Sequence, residues 1–348
     1  MTDRIPSLDG MRAVSIALVI VSHAQVSLPF VWRFNYGNLG VRVFFVISGF
    51  LITKLLLQEH TKTGRISIPQ FYLRRAFRIL PAAYVYLAIA VGLIPFGMHA
   101  MYREIPPALF YYANYNYSPG SIATGHFWSL SVEEQFYFMW PAALVLLGLR
   151  RARYACLALL VVAPVFRVLS DLGIWPTNPM YAFESVCDAL ATGCLLSMLR
   201  GRLWDLKFYR SVVETPFVIA IVAAGVLLTS VYSPALLQDL VGIPVLNIGI
   251  AVVLDRYTRL SDDTTLGRAL NWPLVAWVGT VSYSLYLWQQ AWMFSRLPPL
   301  IGVCGAVACA AASFYLIERP MLRVRSRVST MFFARRTAAT VRAASPNP

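Results

Sequence analysis

Ten stretches of mostly apolar residues follow one another along the chain, at 11–29, 39–57, 79–97, 127–149, 154–170, 182–199, 215–232, 236–254, 274–295 and 299–318. A helix rises about 1.5 Å per residue, so roughly 20 apolar residues match the ~30 Å hydrocarbon thickness of a bilayer. Backbone amides find no water there and must be satisfied within the protein, as a helix satisfies its own. The pattern predicts an all-α integral membrane protein, a bundle of about ten transmembrane helices. Composition agrees: 58% of the 348 residues are hydrophobic, 13% are charged, and the mean hydropathy is +0.61. A soluble chain carries about 25% charge.

The net charge of +14 raises the question of a nucleic-acid partner, and its placement answers against one. With the N-terminus in the cytoplasm, every Lys and Arg falls on the inner side except Arg33, Arg42, Arg103, Arg167 and Arg296, which leaves 25 of 30 inside. That is the positive-inside asymmetry of a multi-pass membrane protein, with both termini cytoplasmic. The same charge attracts anionic membrane lipid. Asp3 and Asp9, and the lack of a small-residue cleavage site, distinguish the first run from a secretory signal, so it is read as the first retained helix. Residues 1–320 are expected to form the membrane domain, and 321–348 a basic cytoplasmic tail, disordered or lying on lipid. Five cysteines, Cys156, Cys187, Cys194, Cys304 and Cys309, lie in apolar runs without metal-ligand spacing. They read as packing residues, and no metal site is expected.

Against this apolar background a few polar residues stand out. The stretch from His126 to Pro141 places Glu133 and Glu134 in the first turns of a membrane segment. An acid inside such a segment costs ~2.5–3.5 kcal/mol on insertion scales and so faces a protein interior or a wet cavity. Neighbouring residues on a helix diverge by about 100°, so the two carboxylates are expected on different walls, with Glu133 on the face of Phe136, Tyr137 and Trp140. The plainer alternative makes both interfacial residues held by a Lys or Arg. On the first segment His23 follows Arg12 by three turns, or ~16 Å, which brings it to the depth expected for Glu133. Two titratable groups at one level on different helices suit general-base chemistry, although a lone His near a helix end also suits an interface. Asp9 is expected to cap or pair locally.

Arg74, Arg75 and Arg78 cluster at an inner helix end and serve either as topological anchors or as phosphate ligands, for which guanidinium forks are suited. The outer loop 98–126 carries Tyr102, Tyr111, Tyr112, Asn114, Tyr115, Asn116 and Tyr117, chemistry shared by carbohydrate sites and membrane interfaces. His126 at its end is a second candidate acid, base or substrate ligand. Glu184 and Asp188 lie four apart on one helix face, lining a cavity or pairing with Arg167. Ser48-Gly49 would let two helix backbones approach closely.

Taken together, these stretches resemble the acyltransferase 3 family, multi-pass bacterial membrane enzymes that O-acylate sugars. The resemblance rests on Trp-Ser-Leu-Ser-Val-Glu-Glu-Gln-Phe-Tyr at 128–137, Gly-Val-Arg-Val-Phe-Phe-Val-Ile-Ser-Gly-Phe-Leu-Ile at 40–52 and Arg-Ala-Phe-Arg at 75–78. It also rests on Ser-Tyr-Ser-Leu-Tyr-Leu-Trp at 282–288, the Arg12…His23 spacing, Asp188 to Gly193, and Ile317-Glu318-Arg319-Pro320. It covers about residues 5–320. It implies that His23 is catalytic, that Glu133 is the important glutamate of its motif, and that Arg75 and Arg78, with Arg12, bind acyl-coenzyme A at the cytoplasmic mouth. The pattern is altered at Arg42, where relatives commonly have Asp, and at Gln289, where many have His. Arg42 is therefore read as steadying an anionic group or pairing with Glu133, and Gln289 as a hydrogen-bonding residue only. Glu318 is expected to pair with a basic loop.

The implied activity is transfer of an acyl group, expected to be acetyl, from acyl-coenzyme A (acetyl-CoA) to a hydroxyl of a cell-surface, lipid-linked or secreted glycan or glycoside. The donor is a substrate, and no tightly bound cofactor is expected. His23 takes the hydroxyl proton while Glu133 orients the imidazole; Arg42, Ser129 and Tyr137 are candidates for the oxyanion, and Arg42, His126 and Tyr137 for substrate contact. The rival class is a proton-coupled transporter of acyl groups or small solutes that works with a separate transferase. The orientation is checked with reporter fusions: those after Arg153 or Arg210 should report cytoplasmic, and one near Pro119 external. An inverted result at Pro119 would overturn the topology.

Overall fold

Proline at the first turn, where the missing N–H has no partner to lose, opens several of the helices. The computed structural model describes residues 5–24, 36–96, 102–116, 122–215, 217–232, 235–260, 264–295 and 297–328. The main helices are α1 (Pro6–His23), α2 (Tyr36–Thr63), α3 (Ile68–Leu93), a short α4 (Ile105–Leu109) and α5 (Phe127–Asp171). They continue as α6 (Phe183–Asp205), α7 (Lys207–Glu214), α8 (Val218–Tyr232) and α9 (Ala235–Arg259), then α10 (Thr265–Leu270), α11 (Pro273–Thr280), α12 (Ser282–Met293) and α13 (Pro299–Val328). Among the described residues there is no strand. Five helices, α2, α3, α5, α9 and α13, are each long and apolar enough to cross a membrane.

Each apolar run read from the sequence overlaps a helix among the described residues, but the boundaries differ in informative ways; residues 25–29 and 97 of the first and third runs lie outside the described residues. Two runs merge into α5, which breaks at Gly148 (φ 69°, ψ 165°) just before the exposed Arg150-Arg151 pair. That left-handed φ favours glycine. The run at 274–295 is instead divided at Val281 into α11 and α12. Helix α3 begins well before its apolar stretch, so Arg74, Arg75 and Arg78 sit on the same rigid element as the membrane segment. Residues 321–328, expected as part of a disordered tail, continue α13 as helix; 329–348 lie outside the described residues, as do Tyr117 and Pro119 of the outer loop. Cys156, Cys187 and Cys194 are buried packing residues, whereas Cys304 is exposed.

The core is assembled around α2 and α6. Their backbones touch: a Cβ on Gly49 would meet the carbonyl of Leu190, and one on Gly193 the carbonyl of Val46. Small residues at membrane helix crossings permit this approach and the dispersion contacts that follow from it. The crossing also brings charge together. Asp188 on α6 is fully buried and accepts from Arg167 Nη1 of α5 at 3.0 Å. Arg42 Nη1 of α2 lies 3.6 Å from the other oxygen of the same carboxylate and 3.4 Å from Asn247 Oδ1 of α9. Arg42 therefore does not pair with Glu133 as expected: the α2–α6 contact turns it to Asp188 instead. Of the two readings for Glu184 and Asp188, pairing with Arg167 holds for Asp188, and neither acid lines the two cavities described below. Glu184 binds Tyr115, Trp175 and Thr177, and Asp188 is enclosed by arginines. Asp9 pairs locally with Arg12 at 3.2 Å, as anticipated. Glu318 accepts from Ser284 of α12, so its direct partner is a hydroxyl within the bundle.

Two outcomes test this packing. Gly193→Ala should destabilise the purified protein by about 1–3 kcal/mol through overpacking. Gly201→Ala, whose added methyl meets nothing, should be neutral or slightly stabilising by helix propensity. Equal melting temperatures for the two variants would contradict the close crossing. Asp188→Asn leaves Arg42 and Arg167 buried with one charge fewer between them and should cost about 3–5 kcal/mol. An unchanged thermal unfolding profile in detergent would show that the cluster contributes nothing.

Candidate active site

Two cavities open inside the bundle, and the polar residues singled out from the sequence divide between them. The first is lined by Arg12 of α1, Ser48 of α2, Arg75 and Arg78 of α3, and Glu133, Glu134 and Tyr137 of α5, with Ser129, Tyr283 and Tyr286 completing its wall. Ser48 Oγ donates to Glu133 Oε1 at 2.6 Å, and Tyr137 Oη donates to Ser48 Oγ at 3.0 Å. Glu133 and Tyr137 are four residues apart, one turn along the same face, which is why one serine of α2 reaches both. The Arg75 guanidinium lies 4.7 Å from the centroid of the Tyr137 ring, within cation–π range. Three arginines and two carboxylates thus face one space, with Arg12 already paired to Asp9 and Arg75 and Arg78 left to meet an anionic guest.

Glu133 and Glu134 line this cavity together, contrary to the expectation of separate walls. The cavity wraps around the α5 surface, so a divergence of 100° still leaves both side chains on it. Their surroundings differ: Glu133 is held by Ser48, whereas Glu134 Oε1 is buried without a hydrogen-bond partner among the described residues. Arg74, third of the clustered arginines, is bound to Glu59 at 2.7 Å. Arg75 and Arg78 donate to no carboxylate within salt-bridge distance among the described residues.

The second cavity is lined by Ser22 and His23 of α1, Asn38 of α2, and His126 and Trp128 at the start of α5, together with Tyr181, Tyr286, Gln290 and Phe294. Trp128 and Tyr181 pack with ring centroids 4.9 Å apart, giving the polar groups an aromatic side wall. His23 Nδ1 lies 2.8 Å from Gln289 Oε1, and His126 Nδ1 lies 3.0 Å from Gln290 Oε1. His23 is thus not oriented by Glu133 as the sequence suggested. The two line different cavities, and the residue touching the imidazole is Gln289.

The cavities adjoin. Val41 and Tyr286 contribute to both, and Tyr286 Oη shares a 2.5 Å hydrogen bond with Ser129 Oγ. Ser129 also donates to the His126 carbonyl at 3.1 Å. Below this wall, Gln135 of α5 donates to the Tyr111 carbonyl at 2.9 Å and to Asn114 Oδ1 at 2.8 Å, tying the aromatic loop to the helix that carries both glutamates. Ser48, Tyr286 and Gln290 were not singled out as site residues from the sequence. Their signal was their place inside the recognised runs at 40–52 and 282–288, or directly after them.

An arginine-rich cavity thus lies beside a histidine-bearing one in a bundle of apolar helices. A family model described as an acyltransferase domain matches residues 5–318, and the chain belongs to this acyltransferase 3 family. It is similar to YrhL of Bacillus subtilis, assigned as a peptidoglycan O-acetyltransferase, at 29% identity over 91% of this chain and 55% of that protein. It is also similar to the peptidoglycan O-acetyltransferase OatA of Listeria monocytogenes, at 27% identity over 91% of this chain and 56% of OatA. A Staphylococcus aureus protein assigned as an O-acetyltransferase shares 38% identity over 41% of the chain and 25% of its own length. The chain spans about half the length of the first two relatives. No solved structure matches it.

Proposed function

We propose that the chain transfers an acetyl group from acetyl-coenzyme A to a hydroxyl of a cell-envelope glycan, with the cavities opening to opposite membrane faces. The observation that carries this reading is the back-to-back pair of cavities, one rich in arginine and one bearing histidine. The positive-inside pattern puts the arginine cavity on the cytoplasmic side, in a protein of the bacterial inner membrane. There Arg75 and Arg78, with Arg12, receive the donor phosphates. The thioester reaches the histidine cavity where the two adjoin, at Val41 and Tyr286. The acceptor hydroxyl enters from the other side, between the polar groups and the Trp128–Tyr181 wall. Peptidoglycan or a related cell-wall glycan is the acceptor class, by analogy with what the named relatives act on.

In the reaction, the acceptor oxygen attacks the thioester carbonyl as His23 removes its proton. The tetrahedral oxyanion then collapses, the carbon–sulfur bond breaks, and the imidazolium returns the proton to the leaving thiolate. The products are an ester and free coenzyme A, and the histidine is restored. Tyr286 and Ser129, whose hydroxyls meet between the cavities, face the oxyanion once one of them turns its proton away from its resting acceptor. Glu133, held by Ser48 and beside Arg75, acts on the donor side, where it sets the charge balance around the arginines.

A second reading rests on the same adjoining cavities. In it the bundle carries the acyl group across the membrane, and a separate transferase forms the final ester. Acetyl transfer to a soluble peptidoglycan fragment by the purified chain alone, in detergent, separates the two readings. Ester formed without a partner supports the first; donor consumption without ester supports the second.

Substitutions then separate chemistry from donor capture. His23→Ala should lower turnover by about 10²–10⁴-fold at an unchanged donor constant. Arg75→Ala loses charge-assisted hydrogen bonds of ~1.5–3 kcal/mol each, a roughly ten- to hundredfold rise in the donor constant, and excess donor should restore much of its activity. Correct insertion is verified first with the reporter fusions. Donor binding by inserted Arg75→Ala at wild-type strength would make these arginines topological anchors only.

A further inference from the structure

His23 and His126 reach one cavity from different helices, and each ring is held the same way. Its Nδ1 meets a side-chain amide oxygen, at 2.8 Å from Gln289 and 3.0 Å from Gln290. The two glutamines are consecutive on α12 and buried, at 0% and 8% exposure. Helical neighbours diverge by about 100°, so a single turn of α12 serves two imidazoles without the amides competing. An amide oxygen can only accept, so each contact requires a proton on Nδ1, and a neutral ring then carries its lone pair on Nε2. In His126 that nitrogen is buried with no hydrogen-bond partner among the described residues, which is costly until something donates to it.

We infer that Gln289 and Gln290 are a pair of positioning residues that hold His23 and His126 in the Nδ1–H form, and that His126 Nε2 is a second acceptor for the incoming sugar. The inference rests on the proposed function of the histidine cavity and deepens it by naming the class of acceptor. The acceptor is a sugar with two neighbouring hydroxyls: one donates to His23 Nε2 and becomes the nucleophile, the other donates to His126 Nε2 and stays a hydroxyl. No bond changes beyond those of the transfer already written. Ser22, Asn38 and the Trp128–Tyr181 wall give the same cavity the polar groups and aromatic face that a polyol requires.

The test uses the full chain purified in detergent, with acetyl-coenzyme A and a soluble peptidoglycan disaccharide. Gln289→Leu, similar in size but unable to accept, should lower kcat at least about tenfold, because an imidazole in the wrong tautomer is no base. The donor KM should stay within about twofold. Gln289→Glu and Gln289→His both keep an acceptor and should return within about threefold of wild type. Gln290→Leu should raise the acceptor KM about tenfold, the loss of one hydrogen bond, with kcat little changed. Independently of any variant, the wild-type enzyme should show a similar rise with an acceptor lacking a hydroxyl that flanks the acetylated one. Wild-type kcat in Gln289→Leu overturns the role of Gln289, as do folded Glu and His variants as slow as Leu. Equal binding of every singly deoxygenated acceptor overturns the role of His126. His23→Ala is the control: if it keeps its activity, the general-base reading itself has failed. If it is silent while Gln289→Leu is fully active, only the positioning inference has failed.

Discussion

Charge buried in an apolar bundle has to be balanced from within, and Asp188 meets that demand from two directions, with Arg42 of α2 and Arg167 of α5. The cluster ties three helices at one point, and Asn247 adds α9. It is compatible only with the close backbone crossing of α2 on α6 at Gly49 and Gly193. That crossing sets the rotation of α2 about its own axis. Ser48 then faces α5 and reaches Glu133, one residue before the glycine that touches α6. The donor-side cavity is thus shaped by a contact made on the other face of the same helix.

The division of labour between the cavities follows from what each wall contains. The arginine cavity gathers like charges that repel one another, an arrangement suited to a polyanion arriving from outside the protein. The histidine cavity holds neutral amides, hydroxyls, imidazoles and aromatic faces, groups that match a sugar and give little hold to a phosphate. On the proposed function, separating the two would let one enzyme bring together substrates of opposite character without either competing for the other's site.

Much of this was legible in the sequence because it is local. Apolar runs marked the helices, Arg75 and Arg78 of α3 marked one wall of a cavity, and Ser48-Gly49 marked a close helix crossing. What was not legible depends on partners far away along the chain. The partner of His23 lies 266 residues on, and nothing in the spacing of either residue shows that α1 and α12 meet there. The same holds for Arg42, whose partner is chosen by how α6 crosses α2. Helical geometry also misled at Glu133 and Glu134: an angular separation between neighbours says nothing about how far a cavity extends around the helix. Gln289 is instructive, since its departure from the family pattern directed attention to hydrogen bonding, and the structure shows which group it bonds.

Val41 and Tyr286 stand between the two cavities, and this has an electrical consequence. On the proposed function, with the cavities opening to opposite faces, Tyr286 and Val41 belong to the wall that separates the two sides of the membrane. The membrane voltage would then drop over less than the full bilayer thickness at that wall, and the local field would be correspondingly higher. An enzyme built this way would have to pass an acyl group while refusing protons, and the hydrogen bond between Tyr286 and Ser129 would act as a seal.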